Sequence, residues 1–177
     1  DDCLIFEGSD FAFFGAAYHT SQTPKRWFCN STLGMIVFGV PFSLGAQVTL
    51  PKSKVVLLTG DGALGFNAME IDTAVRHGLP IVIIVGNDSV WGMDYHQQVQ
   101  LYRRKVATEL LPTRYDKVAE ALGAHGEYVD DQSQLLDALK RALSSNRPSL
   151  VNVQTMPAPS PLTEWAIKMK SAQASDT

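Results

Sequence analysis

Short apolar runs rich in β-branched residues alternate along the chain with segments of helical length, which predicts an α/β domain: three layers, with one parallel sheet flanked by helices. Two observations sharpen this. The runs Val55-Val56-Leu57-Leu58-Thr59 and Ile81-Val82-Ile83-Ile84-Val85 show no polar alternation, as expected of strands covered on both faces. Each is closed by a glycine and a polar turn, and 177 residues with 45% apolar content suffice for one globular core.

Taken in order, Cys3-Leu4-Ile5-Phe6 reads as a first strand ending at Glu7-Gly8, with a helix over residues 11–19. Trp27-Phe28 is a short second strand. Residues 38–50 have helical spacing of apolar and small residues, with Pro41 tolerated in the first turn. The strand 55–59 stops at Gly60, and a helix over residues 67–77 ends at Gly78 before Pro80 forbids its continuation. The central strand 81–85 leads into a polar, aromatic segment over 86–102. A helix over 115–122, a strand over 127–129, an amphipathic helix over 134–143 and a last strand over 149–153 complete the pattern. Residues 1–156 form the domain; residues 157–177, opening with Pro157, Pro159 and Pro161, read as a C-terminal arm with an amphipathic turn around residues 165–169.

A formal charge of -3 without any block of Lys or Arg gives no footprint for nucleic acid or an anionic membrane. The most apolar stretch, residues 33–48, is interrupted by Gly34, Gly39, Pro41 and Gly45 and is shorter than the ~20 residues that span a bilayer. Cys3 and Cys29 lack metal-site spacing and read as reduced, packed thiols of a cytoplasmic protein. A start at Asp1, inside an apparent strand, suggests a processing point or the edge of a fragment.

In an open parallel sheet, ligands sit beyond the carboxyl ends of the strands. Two polar loops fall there. Gly60-Asp61-Gly62 combines close backbone approach with free N–H groups that favour phosphate, and Gly86-Asn87-Asp88-Ser89 follows the neighbouring strand. Asp61 and Asp88 therefore project into one crevice, where hard oxygen ligands beside a phosphate suit Mg²⁺. Each loop alone is equally what a tight turn or a helix cap looks like.

The combination is more specific: Gly60-Asp61-Gly62, an intervening helix, then an apolar strand ending in Asn87-Asp88 resembles the signature of thiamine diphosphate enzymes. Leu33-Gly34-Met35-Ile36-Val37-Phe38-Gly39-Val40-Pro41 with Gly45-Ala46-Gln47 is similar to the segment preceding that signature in acetolactate synthases; Gly92-Met93 and Gly123-Ala124 also fall where that branch has similar residues. Nearly the whole chain resembles the pyrophosphate-binding domain of the acetolactate synthase and 2-hydroxyacyl-CoA lyase branch. The resemblance implies thiamine diphosphate and Mg²⁺ as cofactors, with the metal held by Asp61, Asp88 and the carbonyl of Val90. Position 88 is usually Asn in the family, so Asp88 keeps an oxygen ligand and adds a charge, which implies tighter metal binding. Gly62, Ala63 and Leu64, and the loop Gly8-Ser9-Asp10, would offer N–H groups to the diphosphate, although relatives often carry Gln-His where this chain has Ser9-Asp10. Gly34 would accept a hydrogen bond from the cofactor's 4'-amino group and Ile36 would wedge the cofactor into its bent form. Val90, Trp91 and Met93, around Gly92, would cover the thiazolium ring or the bound acyl group.

The activating Glu of this family lies in a separate pyrimidine-binding domain, and no part of the chain resembles that domain. Glu70 sits at a helical position and does not take that role. The resemblance implies that the chain supplies half of an active site and works in a homo- or hetero-oligomer, on 2-oxo acids or 2-hydroxyacyl-CoA esters. Simple decarboxylation and a non-catalytic cofactor-binding module are the competing readings. A dinucleotide-binding domain is disfavoured by the lack of GxGxxG after the first strand. Among the histidines, only His96, near the second loop, is a candidate acid or base.

Overall fold

The computed structural model describes residues 2–29 and 34–175; Leu33, at the start of the acetolactate synthase-like segment, lies outside them. The elements are β1 (Cys3–Phe6), α1 (Asp10–Tyr18), β2 (Trp27–Cys29), α2 (Gly39–Thr49), β3 (Val55–Gly60), α3 (Asp61–Gly65), α4 (Glu70–Arg76), β4 (Val82–Asn87), α5 (Gly92–Tyr102), α6 (Tyr115–Ala121), β5 (His125–Val129), α7 (Gln132–Ser144), β6 (Ser149–Gln154) and α8 (Pro161–Ser175). The six strands form one sheet in the order β2-β1-β3-β4-β6-β5, every pair parallel.

Successive residues of each strand feed opposite faces, and along the inner strands both faces are buried. Cys3, Ile5, Val55, Leu57, Ile81, Ile83 and Val85 join one apolar cluster with Val40 and Leu44 of α2, Ile71 and Ala74 of α4 and Ala119 of α6. Val56, Val82 and Val151 point the other way, against Ala138 and Ala142 of α7. That double coverage accounts for the continuous apolar runs seen in the sequence. From β1 the chain passes to β2 on one side and then to β3 on the other, so the direction of winding reverses between β1 and β3. A crevice opens there at the carboxyl ends of the strands.

Four elements differ from the sequence expectation. Gly60-Asp61-Gly62 is more than a loop: Gly60 caps α3, and Asp61 opens that one-turn helix. Residues 67–69 are not yet α-helical, because Glu70, Ile71 and Asp72 donate to carbonyls three residues back, in tight 3₁₀-type turns. The segment over 86–102 contains the helix α5, whose polar composition lacks the apolar stripe that marks a core-facing helix. The arm is a 15-residue helix, α8, in contact with α1 and α5 rather than a single turn.

The carboxyl edge is packed too tightly for side chains at certain points. Gly86 pairs with Gly60 across β3 and β4, and a methyl group on it would collide with the Phe11 ring. Gly86→Ala should therefore displace α1 and lower stability by about 1–3 kcal/mol, read as a reduced midpoint in urea denaturation.

Candidate cofactor and metal site

The crevice holds a cleft of about 290 Å³, at the small end for a ligand site. Its walls come from the carboxyl ends of β1, β3 and β4: Ser9 and Asp10, then Gly60, Asp61, Gly62 and Ala63, then Asp88, Val90, Trp91, Gly92 and Met93. Gly34 and Ile36 close one side. Of the residues singled out in the sequence, Gly8 and Leu64 do not line this cleft; Leu64 is fully buried in the apolar core.

Asp61 is 2% exposed, yet its carboxylate accepts only backbone N–H groups: Gly62 to Oδ1 at 2.9 Å and Ser89 to Oδ2 at 3.0 Å. The second bond ties the ends of β3 and β4 together. Ser89 adopts a φ of 59°, which turns its N–H toward Asp61. Asp88 Oδ1 accepts from Val90 N at 3.2 Å, and the Val90 side chain is buried beneath an antiparallel bridge to Glu109.

These carboxylates have no cationic partner. Burial pushes Asp61 up to about 7, the charge of Asp88 adds to this, and the bonds from Gly62 and Ser89 oppose it. Burial likewise raises Asp88 to about 6, against the bond from Val90 and with the charge of Asp10 adding. Among the described residues no Lys, Arg or His lines the cleft. Two desolvated carboxylates without a counter-charge suit a hard divalent cation, and glycine-rich backbone beside them leaves room for an anion bridged through that cation. The donor set therefore fits a metal-bound diphosphate.

Several residues that sequence reasoning passed over hold this geometry. Glu7, fully buried at the end of β1, accepts from Gly39 N at 2.9 Å and Thr59 Oγ1 at 2.7 Å. It thereby fixes the start of α2, just beyond Gly34 and Ile36. A charged residue terminating a buried strand was the available signal. The Asn67 side-chain amide donates to the Val37 carbonyl, pinning a residue with a φ of 83°, where a β-branched side chain is strained. Gly34, at φ 58°, needs no such support. Tyr115 donates to the Asp61 carbonyl at 3.1 Å. Asn87, the signature residue before Asp88, turns away from the cleft and donates to Thr113 O at 2.8 Å and Asn152 Oδ1 at 3.1 Å.

The aromatic wall is Trp91. Its ring lies against Gly62, where a methyl group would meet it at 2.9 Å, and it packs edge-on with Phe66 at 5.8 Å between centroids. His96 does not line the cleft. It sits buried on α5 with Nε2 unpartnered, and burial holds its imidazole below the ordinary value, with the charge of Asp10 opposing. His77 terminates α4 and His125 pairs with Glu127 at 2.8 Å; neither lines the cleft.

Residues 9–153 match the family model described as thiamine pyrophosphate enzyme, C-terminal TPP binding domain. The chain is 40% identical over 159 residues to the acetolactate synthase large subunit IlvG of Mycobacterium tuberculosis, covering 89% of this chain and 29% of that protein. It is 38% identical over 159 residues to 2-hydroxyacyl-CoA lyase 2 of Caenorhabditis elegans, covering 86% and 25% respectively. Against the acetolactate synthase of Bacillus subtilis it is 34% identical over 142 residues, covering 80% and 25%. The chain thus spans less than a third of the length of these relatives. With the family match covering most of its length and the predicted fold in place, the chain belongs to the thiamine pyrophosphate enzymes, as their C-terminal cofactor-binding domain.

Proposed function

We propose that this chain supplies the diphosphate- and metal-binding half of an active site that cleaves or forms carbon–carbon bonds with thiamine diphosphate and Mg²⁺. The observation that carries the reading is the convergence of Asp61 and Asp88, both desolvated and without a cationic partner, at the edge where β3 and β4 end. Asp61, Asp88 and the Val90 carbonyl hold the metal. Gly62 and Ala63, with Leu64 and the Gly8-Ser9-Asp10 loop behind them, present backbone to the diphosphate.

When bound, the cofactor supplies a thiazolium carbon nucleophile that adds to a carbonyl and stabilises the negative charge left by cleavage or decarboxylation. The protein orients and desolvates. The Gly34 carbonyl fixes the aminopyrimidine, Ile36 supports the bend, and Trp91 and Met93 cover the reacting end and keep water away. Glu7 and Asn67 keep the Gly34–Ile36 side in register by holding the Gly39 N–H and the Val37 carbonyl in place.

The other half of the site comes from a pyrimidine-binding domain or subunit with the activating Glu, in a homo- or hetero-oligomer. Support for a covering partner comes from Met35, Val37 and Phe66 beside the cleft, which are 59%, 39% and 60% exposed. Apolar side chains grouped around a cleft are usually covered in the working assembly. The substrates are 2-oxo acids or 2-hydroxyacyl-CoA esters, the classes that the family resemblance implies, the second also standing in the name of the lyase relative. Residues 1–156 form the cofactor-binding domain and residues 157–177 its C-terminal arm. Among the described residues no helix is long and apolar enough to cross a membrane, and the proposed setting is the cytoplasm.

Two measurements test the reading. Asp61→Ala should weaken Mg²⁺-dependent binding of thiamine diphosphate by about 100-fold or more, measured by calorimetry on the assembled protein. Binding at wild-type strength would remove the metal role of Asp61. The second test uses pH. Because the folded Asp61 and Asp88 carboxyls sit at about 7 and about 6, they keep protons that the unfolded chain releases near ~4. Their contribution to stability is fully present below the unfolded value and is lost as pH rises through the folded ones. In metal-free protein the urea midpoint should fall between pH 5 and pH 8 by more in the wild type than in Asp61→Asn, and added Mg²⁺ should restore the wild type at pH 8.

A further inference from the structure

Residues 34–37 form one side of the cleft mouth, yet little holds them in place. Gly34, Met35 and Val37 are exposed, and a methyl group added to Gly34 would meet nothing within 4 Å. No hydrogen bond links residues 34–36 to the other described residues. Among the described residues the one polar tie of the segment is the Asn67 amide, which donates to the Val37 carbonyl.

Both ends of that tie are attached to fixed structure. Gly39 N donates to Glu7 Oε1 at 2.9 Å, a methyl group on Gly39 would strike the same carboxylate at 2.5 Å, and Val40 is fully buried in the core. The Asn67 N–H reaches Leu64 O at 3.1 Å, and its carbonyl accepts from Glu70 N at 2.9 Å, in the turns between α3 and α4. The tied arrangement is nevertheless costly. Val37 sits at a φ of 83°, where Cβ crowds the backbone and branching worsens the clash. The other end of the Asn67 amide, Oδ1, is buried without a hydrogen-bond partner. Each of these costs is at least of the order of the net worth of one hydrogen bond. The tied arrangement therefore lies close in free energy to one in which Val37 returns to negative φ and Asn67 lets go. Because Gly39 and α2 cannot follow, such a relaxation moves the residues before Val37, Gly34 and Ile36 among them.

We propose that Val37 is a strained hinge and Asn67 its latch, a positioning residue that sets how often Gly34 and Ile36 stand ready for the cofactor. This rests on the reading of Gly34 and Ile36 as the residues that fix and bend it. The cofactor binds the latched arrangement, so its affinity is reduced by the unlatched fraction. Glycine adopts positive φ without the penalty that Val carries, so Val37→Gly raises the latched population and makes Asn67 dispensable.

The test follows the ¹³C-labelled isoleucine methyl groups of the assembled protein by relaxation dispersion, together with calorimetric binding of thiamine diphosphate in saturating Mg²⁺. In cofactor-free wild type the Ile36 methyl should show microsecond-to-millisecond exchange that disappears on saturation with thiamine diphosphate and is weaker in Val37→Gly. Val37→Gly should bind thiamine diphosphate about three-fold more tightly than wild type, and Asn67→Ala about five-fold more weakly. The double variant should fall within about two-fold of Val37→Gly, a non-additivity that a residue stabilising the fold in general would not produce. The proposal is overturned if Ile36 of the cofactor-free wild type shows no exchange, a measurement that needs no variant to fold. It is also overturned if Val37→Gly binds no more tightly than wild type, or if Asn67→Ala loses the same factor in both backgrounds. A wild type that binds no thiamine diphosphate would remove the cofactor reading itself, whereas tight binding beside a motionless Ile36 would remove only the hinge.

Discussion

A parallel sheet buried on both faces leaves its strand ends as the place for polar chemistry, and most of this structure derives from that constraint. Side chains of β3 and β4 alternate between two apolar clusters until Thr59 and Asn87, which are polar and still buried. The reversal of winding between β1 and β3 then opens the crevice at one defined position along that edge. Glu7 marks the transition. It is the first polar side chain after β1, and its two oxygens hold Thr59 of β3 and Gly39 of α2 in place. The cleft therefore inherits its shape from a sheet whose rigidity comes from burial, while its own residues are free to be polar.

That freedom comes at an electrostatic cost. Bringing Asp61 and Asp88 into one desolvated site raises both carboxyls, and the surrounding N–H donors offset this only in part. Elsewhere in the chain, carboxylates are treated differently. Asp116 is bracketed by the Arg114 guanidinium at 2.8 and 2.7 Å and by Asn152 at 3.2 Å, and although burial is the largest single effect, pushing it upward, these partners together hold it below the usual range. Glu127 is paired with Arg141 and His125 and is likewise lowered. The contrast separates Asp116 and Glu127, which have a cation beside them, from Asp61 and Asp88 of the cleft, which have only N–H donors.

The sheet was legible because burial on both faces writes an unmistakable pattern into a strand: Ile81 to Val85 has no competing explanation. The helix α5 was not, since Asp94, His96, Gln97 and Gln98 supply no apolar stripe, and its packing against α8 is a tertiary fact. The two signature loops were readable from Gly, Asp and Asn at strand ends. The bond from Ser89 N to Asp61 was not, because it depends on a left-handed Ser that residue type does not announce. Asp10 is the clearest case: in sequence it belongs to the loop Gly8-Ser9-Asp10 just before a helix, and nothing local marks its carboxylate as an anchor. Its partners, Ser160 N and Thr163 Oγ1, lie 150 and 153 positions away, and pairings at that distance are invisible to local reasoning.

This long-range contact also bears on the C-terminal segment. Three prolines give residues 157–177 the look of a detachable tail, and most of α8 is indeed exposed, Leu162, Trp165 and Met169 included. Yet Ser160 and Thr163 are fully buried at one end of the helix and Ile167 is 7% exposed on the next turn. Apolar burial this limited contributes little on its own, roughly the worth of one or two side chains. The polar anchor at Asp10 therefore carries a large share of what holds the helix down, and a charge-assisted bond to a buried carboxylate is of the strength required.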